Sequence, residues 1–472
     1  MTSWLLGLAI LLTYVLGIVS AVMALMSSRT SQGAIAWIIS LVTFPYLAVP
    51  AYWFFGRPRF YGYVSARGER DSVLRRVLAR YRERVVPYLA DARDPDLRAV
   101  EQLAMMPLTS GNRAELLIDG RSTFDSLFAG IESAEEYLLV QFFIVRNDAL
   151  GRQLKERLIR SVERGVRVYF LYDEVGSRKL PEGYLSELAE AGVQVSPFRS
   201  SRGFKHRFQL NFRNHRKVLV VDGHEGWLGG FNVGVEYLGQ HPRHGPWRDT
   251  HLKLTGPSVL GLQEAFWEDW HWATGEVIGL NWEPGVICPE SQHVVIVPSG
   301  PADPQETASL LVQHVIHSAN QRLWVTSPYF VPDQGVQDAL RLAAMRGVDV
   351  RIMIPEHPDH LLVFLSAFAF LPEMVRAGVK VYRYQPGFLH QKVILIDDSA
   401  ASVGTVNLDN RSFRLNFEIT AFIPDRRFAA EVRLMLERDF AACRRIDYDE
   451  LKNRPLWRKL VSRAAYLTSP IQ

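Results

Sequence analysis

The chain has 472 residues, a formal net charge of +4 and 48% hydrophobic residues, enough apolar material for two or three domain cores, which excludes a disordered or low-complexity chain. So small a positive excess does not by itself point to nucleic acid, and two cysteines are too few for a disulfide framework, which fits a reducing compartment. Only nine of the 54 basic residues are lysines, so a lysine at a matched position stands out.

Two uncharged runs open the sequence, Trp4 to Met26 and Ala34 to Phe55. At about 1.5 Å per residue each can cross a hydrocarbon core of about 30 Å. The first lacks the basic n-region and short apolar core of a signal peptide. Residues 1–56 are therefore read as two transmembrane helices, with Pro45 and Pro50 able to kink the second or turn the pair into a shallow hairpin. The linking SSRTSQG carries one arginine, whereas nine lie between Arg57 and Arg84. The positive-inside rule then predicts a multi-pass protein of the inner (cytoplasmic) membrane, with the first loop outside and both the N-terminus and the rest of the chain in the cytoplasm. Residues 57–109 form a basic juxtamembrane region in which Val73, Leu74, Val77, Leu78, Tyr81, Val85 and Tyr88 recur at helical spacing. Such a helix suits an anionic leaflet or the flank of the soluble body.

From residue 110 onward strands alternate with helices, and the second half echoes the first. EEYLLVQFFIV (135–145) corresponds to NQRLWVTSPYFV (320–331), ERGVRVYFLYD (163–173) to MRGVDVRIMIP (345–355), and LAEAGVQVSPF (188–198) to MVRAGVKVYRY (374–384). A Pro- and Gly-rich junction from Asn281 to Pro304 separates them. The predicted fold is α/β (mixed α+β): two repeats, 110–290 and 291–472, each a β-sheet flanked by helices, packed about a pseudo-twofold axis. AFWEDWHW (265–272) reads as a buried helix face or an interfacial belt, and RPLWRKLVSRAAYL near the C-terminus as an amphipathic helix.

Side chains two apart in a strand share a face, so His215 and Lys217 in NHRKVLVVD project together, as do His390 and Lys392 in LHQKVILID. Asp222 and Asp397 close the two motifs, Asn232 and Asn407 each follow their His by 17 residues, and Gly229 and Gly404 each follow their Asp by seven. One such motif is weak evidence, because a His at a strand edge is more often structural. Two in register point to a site. Ammoniums and asparagine amides can hold phosphoryl oxygens, while one imidazole attacks phosphorus and the other protonates the departing alcohol. This chemistry needs no metal or other cofactor. His357, Asp359 and His360 in PEHPDH resemble a ligand cluster, but a helix start after Pro358 accounts for them equally well.

The paired H-x-K-x4-D motif resembles that of the phospholipase D superfamily. QFFIVRND (141–148), GGFNVGVEYLG (229–239), PWRDTHL (246–252), SPYFVPD (327–333), YQPGFLHQK (384–392) and NLDNRSFRLNFE (407–418) resemble the bacterial cardiolipin synthases, over essentially the whole chain. The resemblance implies ping-pong transfer between two phosphatidylglycerol molecules through a phosphatidyl-histidine, giving cardiolipin and glycerol. It implies His215 as nucleophile and His390 as general acid, then base, an order that the near-symmetry of the repeats leaves reversible. It also implies Asp249 and Glu418, some 34 and 28 residues after the His of their own repeat, as the carboxylates that orient the imidazoles. Asp222 and Asp397 are counted with the catalytic set, although their place at the far strand ends suits bracing a turn. Glu236 and Arg411, each four residues after its Asn, make the half-sites unequal. Expected partners are phosphatidylglycerol, cardiolipin and anionic membrane lipids but not nucleic acid, with a homodimer left open. A phospholipase or nuclease would share the catalytic residues, whereas a noncatalytic membrane scaffold would need neither set.

Overall fold

The computed structural model describes residues 2–56, 63, 82–91, 94–199, 211–241, 245–285 and 287–472, so about half of the basic juxtamembrane region, Val73 to Tyr81 of its helical pattern among it, lies outside the described residues. Helix α1 (Thr2–Ser27) follows the first apolar run, and its Trp4–Ser27 is the one helix among the described residues long and apolar enough to cross a membrane.

The second run is not a single span. Helix α2 (Ser31–Thr43) starts at Thr30, whose hydroxyl caps the Gly33 N–H, and stops at Phe44. Helix α3 (Pro45–Phe55) begins anew at Pro45, which has no N–H to continue the α2 ladder. At 13 and 11 residues neither reaches about 30 Å. The pair instead folds back along α1. A Cβ on Gly17 would lie 2.6 Å from the Leu41 carbonyl oxygen, Tyr14 meets Tyr46, Trp53 Nε1 donates to Ser20 Oγ, and the Tyr52 hydroxyl sits 3.5 Å from Ser27 Oγ. Thus α2 runs antiparallel to α1 and α3 parallel to it, a hairpin whose tip reaches only halfway along α1. The expectation of an outward first loop is corrected too, because Arg29 in that loop pairs with Glu306 of the body, Nε to Oε1 3.2 Å.

The strands of the first half are β1 (Thr109–Ile118), β2 (Tyr137–Phe142), β3 (Arg167–Asp173), β4 (Gln194–Phe198), β5 (Arg213–Asn214), β6 (Val218–Val221), β7 (Glu225–Gly229), β8 (Trp247–Arg248) and β9 (Thr250–Thr255). The second half holds β10 (Gln292–Ser299), β11 (Arg322–Thr326), β12 (Phe330–Val331), β13 (Asp349–Pro355), β14 (Lys380–Tyr384), β15 (Phe388–Leu389), β16 (Val393–Ile396), β17 (Ala400–Gly404), β18 (Leu408–Asp409), β19 (Asn416–Ile423) and β20 (Cys443–Arg445). One large sheet runs β20-β14-β13-β11-β16-β17-β19-β10-β1-β9-β7-β6-β2-β3-β4. Leaving out β20, this order is a palindrome about the antiparallel β10·β1 pair, each strand of one half matched by its sequence equivalent in the other.

Helices flank the sheet and bury its apolar strands. Val259–Thr274 buries Trp267, Trp270 and Trp272, so the Trp-rich stretch is core. Its counterpart Arg426–Ala441 buries Phe428, Val432 and Leu436 in the same cluster. Two short ladders cross between halves. β5 pairs in parallel with Asn416–Phe417 of β19, and β8 pairs in parallel with Phe388–Leu389 of β15.

Candidate active site

Those crossing ladders deliver the two histidines. Just after β5, the His215 N–H donates to the Phe417 carbonyl at 2.8 Å, and the next residue of β19, Glu418, sets its Oε2 2.8 Å from His215 Nδ1. The other half repeats the device. The His390 N–H donates to the Arg248 carbonyl at 2.8 Å, and the neighbouring Asp249 sets its Oδ2 2.6 Å from His390 Nδ1. Asp249 and Glu418 do contact the imidazoles, but the pairing within each repeat is corrected, because each carboxylate serves the histidine of the opposite half. The parallel β5·β19 and β8·β15 pairings force this exchange.

A carboxylate only accepts, so each Nδ1 carries the proton and each Nε2 presents its lone pair. Burial pushes His215 down to about 4, against the pull of Glu418 and with help from Lys217 and Lys392. Burial and then Lys392 push His390 down. Burial alone would raise Glu418 and Asp249, yet the histidine and lysine beside each outweigh it and hold both low. The resting state pairs neutral imidazoles with ionised carboxylates, as a nitrogen nucleophile requires.

Lys217 Nζ donates to the His215 carbonyl at 2.6 Å, and Lys392 Nζ donates to that of His390. Burial holds Lys217 well below the ordinary ammonium range and takes Lys392 to about 8. Lys217 is further lowered by the charge of Lys392, and each lysine feels both Glu418 and Asp249, which places the residues of both halves in one electrostatic field. The Lys392 cation is present below about pH 8 and lost above it. If that cation holds phosphate, kcat/KM measured against pH should therefore fall on the alkaline side with an inflection near that value.

The two asparagines are unequal. Asn232 Oδ1 accepts the Ile144 N–H at 3.0 Å and its Nδ2 donates to the Tyr237 hydroxyl at 3.1 Å, whereas Asn407 Oδ1 is buried without a hydrogen-bond partner among the described residues. Asp222 and Asp397 are not brought to the imidazoles. The Asp222 carboxylate accepts the N–H groups of Glu135, Glu136 and Tyr137 at 2.9, 2.8 and 2.7 Å. That of Asp397 accepts those of Asn320, Gln321 and Arg322 at 3.1, 2.7 and 2.8 Å. With φ of 52° and 51° both residues close a left-handed strand turn. Counting them as catalytic is corrected to a bracing role. Asp397→Ala should cost about 2 kcal/mol through three abandoned donors, read as a lower unfolding midpoint, while the folded fraction keeps its turnover within a few-fold. Glu236 pairs with Arg146 at 3.2 Å and Arg411 donates to the Asn211 Oδ1 at 2.8 Å, so neither reaches an imidazole.

Other contacts were not anticipated from the sequence. The Phe143 ring lies 4.9 Å from that of His215 and the Trp247 ring 5.3 Å from that of His390. Arg216 and Gln391, each between its motif's His and Lys, point the other way and bond to Asp269 and Asp439 at 3.0 and 2.9 Å. The signal for these two was an aspartate within an apolar helix pattern, Asp269 in AFWEDW and Asp439 in MLERDF. Asp359 accepts from the Tyr329 hydroxyl at 2.7 Å and its charge reaches His390 and Lys392, while His360 is exposed.

The family described as cardiolipin synthase, PLD-like domain, matches residues 127–241 and 312–440, and phospholipase D-nuclease N-terminal matches residues 12–57. A relative named cardiolipin synthase A from Pseudomonas putida is 48% identical over 98% of this chain and 96% of its own length. Another of that name from Pseudomonas aeruginosa is 48% identical over 99% and 96%. Among solved structures, phosphatidylserine synthase from Haemophilus influenzae superposes with a TM-score of 0.60 at 16% identity, covering 80% of this chain and 100% of that one. Polyphosphate kinase from Porphyromonas gingivalis gives 0.51 at 12% identity, over 76% and 53%. These two likenesses are of fold alone. The 48% identity over nearly the whole chain and the matching family model establish that this chain belongs to the cardiolipin synthase family of the phospholipase D superfamily.

Proposed function

We propose that the protein transfers a phosphatidyl group from one phosphatidylglycerol to another, forming cardiolipin and releasing glycerol. The observation that carries this reading is the exchanged pair of histidine–carboxylate contacts in one site. The His215 Nε2 lone pair attacks phosphorus, the P–N bond forms, and the P–O bond to glycerol breaks as His390, protonated on Nε2, hands that oxygen its proton. The neutral His390 then removes the proton of the second lipid's hydroxyl, whose oxygen displaces His215. Lys217, Lys392 and the Asn407 amide hold the phosphoryl oxygens, and the anionic diester raises the proton affinity of both lysines and of His390. His215 and His390 are only 8% and 7% exposed, which favours a lipid alcohol over bulk water as acceptor.

In this reading α1 crosses the inner membrane once, the α2–α3 hairpin re-enters from the side of the body, and that side is cytoplasmic because Arg29 and Arg84 pair with the body there and the sequence after the hairpin is rich in arginine. The N-terminus then lies on the opposite face, not beside the body as the count of two spans implied. The palindromic strand order supports two repeats, 110–290 and 291–472, related by a pseudo-twofold axis.

Product analysis with purified protein in phosphatidylglycerol vesicles tests the reaction. Cardiolipin and glycerol in equal amounts, unchanged by a chelator, are expected. Phosphatidic acid as the main product would make the protein a phospholipase instead.

A further inference from the structure

Helices Leu361–Arg376 and Leu456–Tyr466 pack through Phe370 and Tyr466, ring centroids 5.3 Å apart, and beside this contact they border a cleft of about 450 Å³. Phe364, Phe368 and Trp457 line it with apolar surface, and Arg383, Arg454 and Arg458 with positive charge.

The cations exceed their counterions. Arg383 is 9% exposed, one of its terminal nitrogens pairs with Glu356 at 2.9 Å, and its Nε is buried without a hydrogen-bond partner among the described residues. Arg454 lies over Phe368, its guanidinium carbon 3.8 Å from the ring centroid. Arg458 stacks beside Trp457 and forms no ion pair among the described residues. Glu450 on the cleft wall is already engaged by Arg444 at 3.1 Å. Burial, and then the charges of Arg458 and Arg383, hold Arg454 below the ordinary guanidinium range, so an added anion would be welcome there.

The rim has the opposite character. Leu456, Trp457 and Leu460 are 73%, 61% and 61% exposed, and Leu361, two residues after Asp359 at the active site, is 65% exposed. An apolar rim over a guanidinium floor matches an amphiphile with an anionic head. The cleft also sits on the anchored side of the body. The segment that follows the second helix ends at Gln472, whose carbonyl accepts the Arg411 N–H, and nearby Arg414 bonds Glu306, which holds Arg29 at the foot of α1.

We propose that this cleft binds the phosphate headgroup of an anionic phospholipid, away from the paired imidazoles, and thereby holds the mouth of the active site against the leaflet. The assignment does not depend on which lipid the imidazoles transfer.

The full chain carrying His215→Ala, so that no lipid is turned over, can be titrated in nonionic micelles with phosphatidic acid bearing brominated acyl chains. Quenching of Trp457 is isolated by subtracting the signal of Trp457→Phe. Saturable quenching by phosphatidic acid but not by brominated phosphatidylcholine is expected, weakened roughly fivefold by Arg458→Gln, further by Arg454→Gln with Arg458→Gln, and abolished by Val461→Glu at the rim. Thermal unfolding of each variant verifies that it is folded. Equal quenching by phosphatidylcholine would overturn the proposal, as would unchanged affinity in folded Arg454→Gln/Arg458→Gln and Val461→Glu proteins. Displacement by inorganic phosphate as readily as by lipid would also overturn it, assigning the cleft to a free anion.

Discussion

Replacing Glu418 by Gln is expected to lower turnover by roughly 10³–10⁴-fold with the fold intact, the magnitude seen when an orienting carboxylate becomes an amide. Glu418 bonds His215 Nδ1 at 2.8 Å and is fully buried. A glutamine amide in its place can donate to Nδ1, which moves the ring proton to Nε2 and withdraws the lone pair that must meet phosphorus. Asn416 Nδ2, which bonds the other carboxylate oxygen at 3.0 Å, would keep the amide in that flipped orientation. Asp249→Asn should cost as much, but through proton transfer and not through the attacking nitrogen. Because the carboxylates are exchanged, Glu418→Gln disables the ring of the first half and Asp249→Asn that of the second. In rapid-quench experiments with labelled lipid, Glu418→Gln should therefore abolish covalent lipid–enzyme, whereas Asp249→Asn should only slow its formation, in which glycerol leaves, and let what forms persist because the second transfer is slowed too. Pairing within each repeat would produce the reverse.

His215→Ala should leave no covalent intermediate and activity down by roughly 10⁴-fold or more, since both half-reactions pass through that nitrogen. His390→Ala should retain slow accumulation of lipid–enzyme, most of all with a donor whose leaving alcohol is acidic enough to depart without a proton. The reverse pattern would exchange the two roles, which the near-symmetry of the halves permits. His215 sits beside both lysines and is taken down to about 4, which favours it as the ring that stays neutral and attacks.

Much of this site could be read from residue spacing. A two-residue strand period puts His and Lys on one face, and a second copy at the same internal spacings turns a weak motif into a site. Asp249 and Glu418 were also recoverable, each in a strand-like stretch after its motif, although Asp249 falls at the junction of β8 and β9. Their partners were not, because the exchange depends on β5 pairing with β19 and β8 with β15, contacts between segments remote in sequence and only two residues long. Asp222 and Asp397 recur as regularly as the histidines, since repetition marks turn-bracing carboxylates no less than reacting groups. Hydropathy did not decide between a second span and the shallow hairpin that Pro45 allowed, because the 22 residues of that run are all uncharged; the break at Pro45 is a backbone effect, and its direction is set by the close approach of Leu41 to Gly17. Arg216 and Asp269, and Gln391 and Asp439, escaped notice because a buried pair across the sheet has no periodic signature.

The central claim is that one imidazole from each half meets a single phosphorus, each steered by the other half's acid. An experimental structure of the full chain with orthovanadate bound tests this most directly. The predicted result is one vanadium with His215 Nε2 as an axial ligand, His390 Nε2 hydrogen-bonded to the oxygen at the opposite apex, and Lys217 and Lys392 on the equatorial oxygens. Vanadate held by one histidine alone, with the second ring turned to a different cavity, would contradict it.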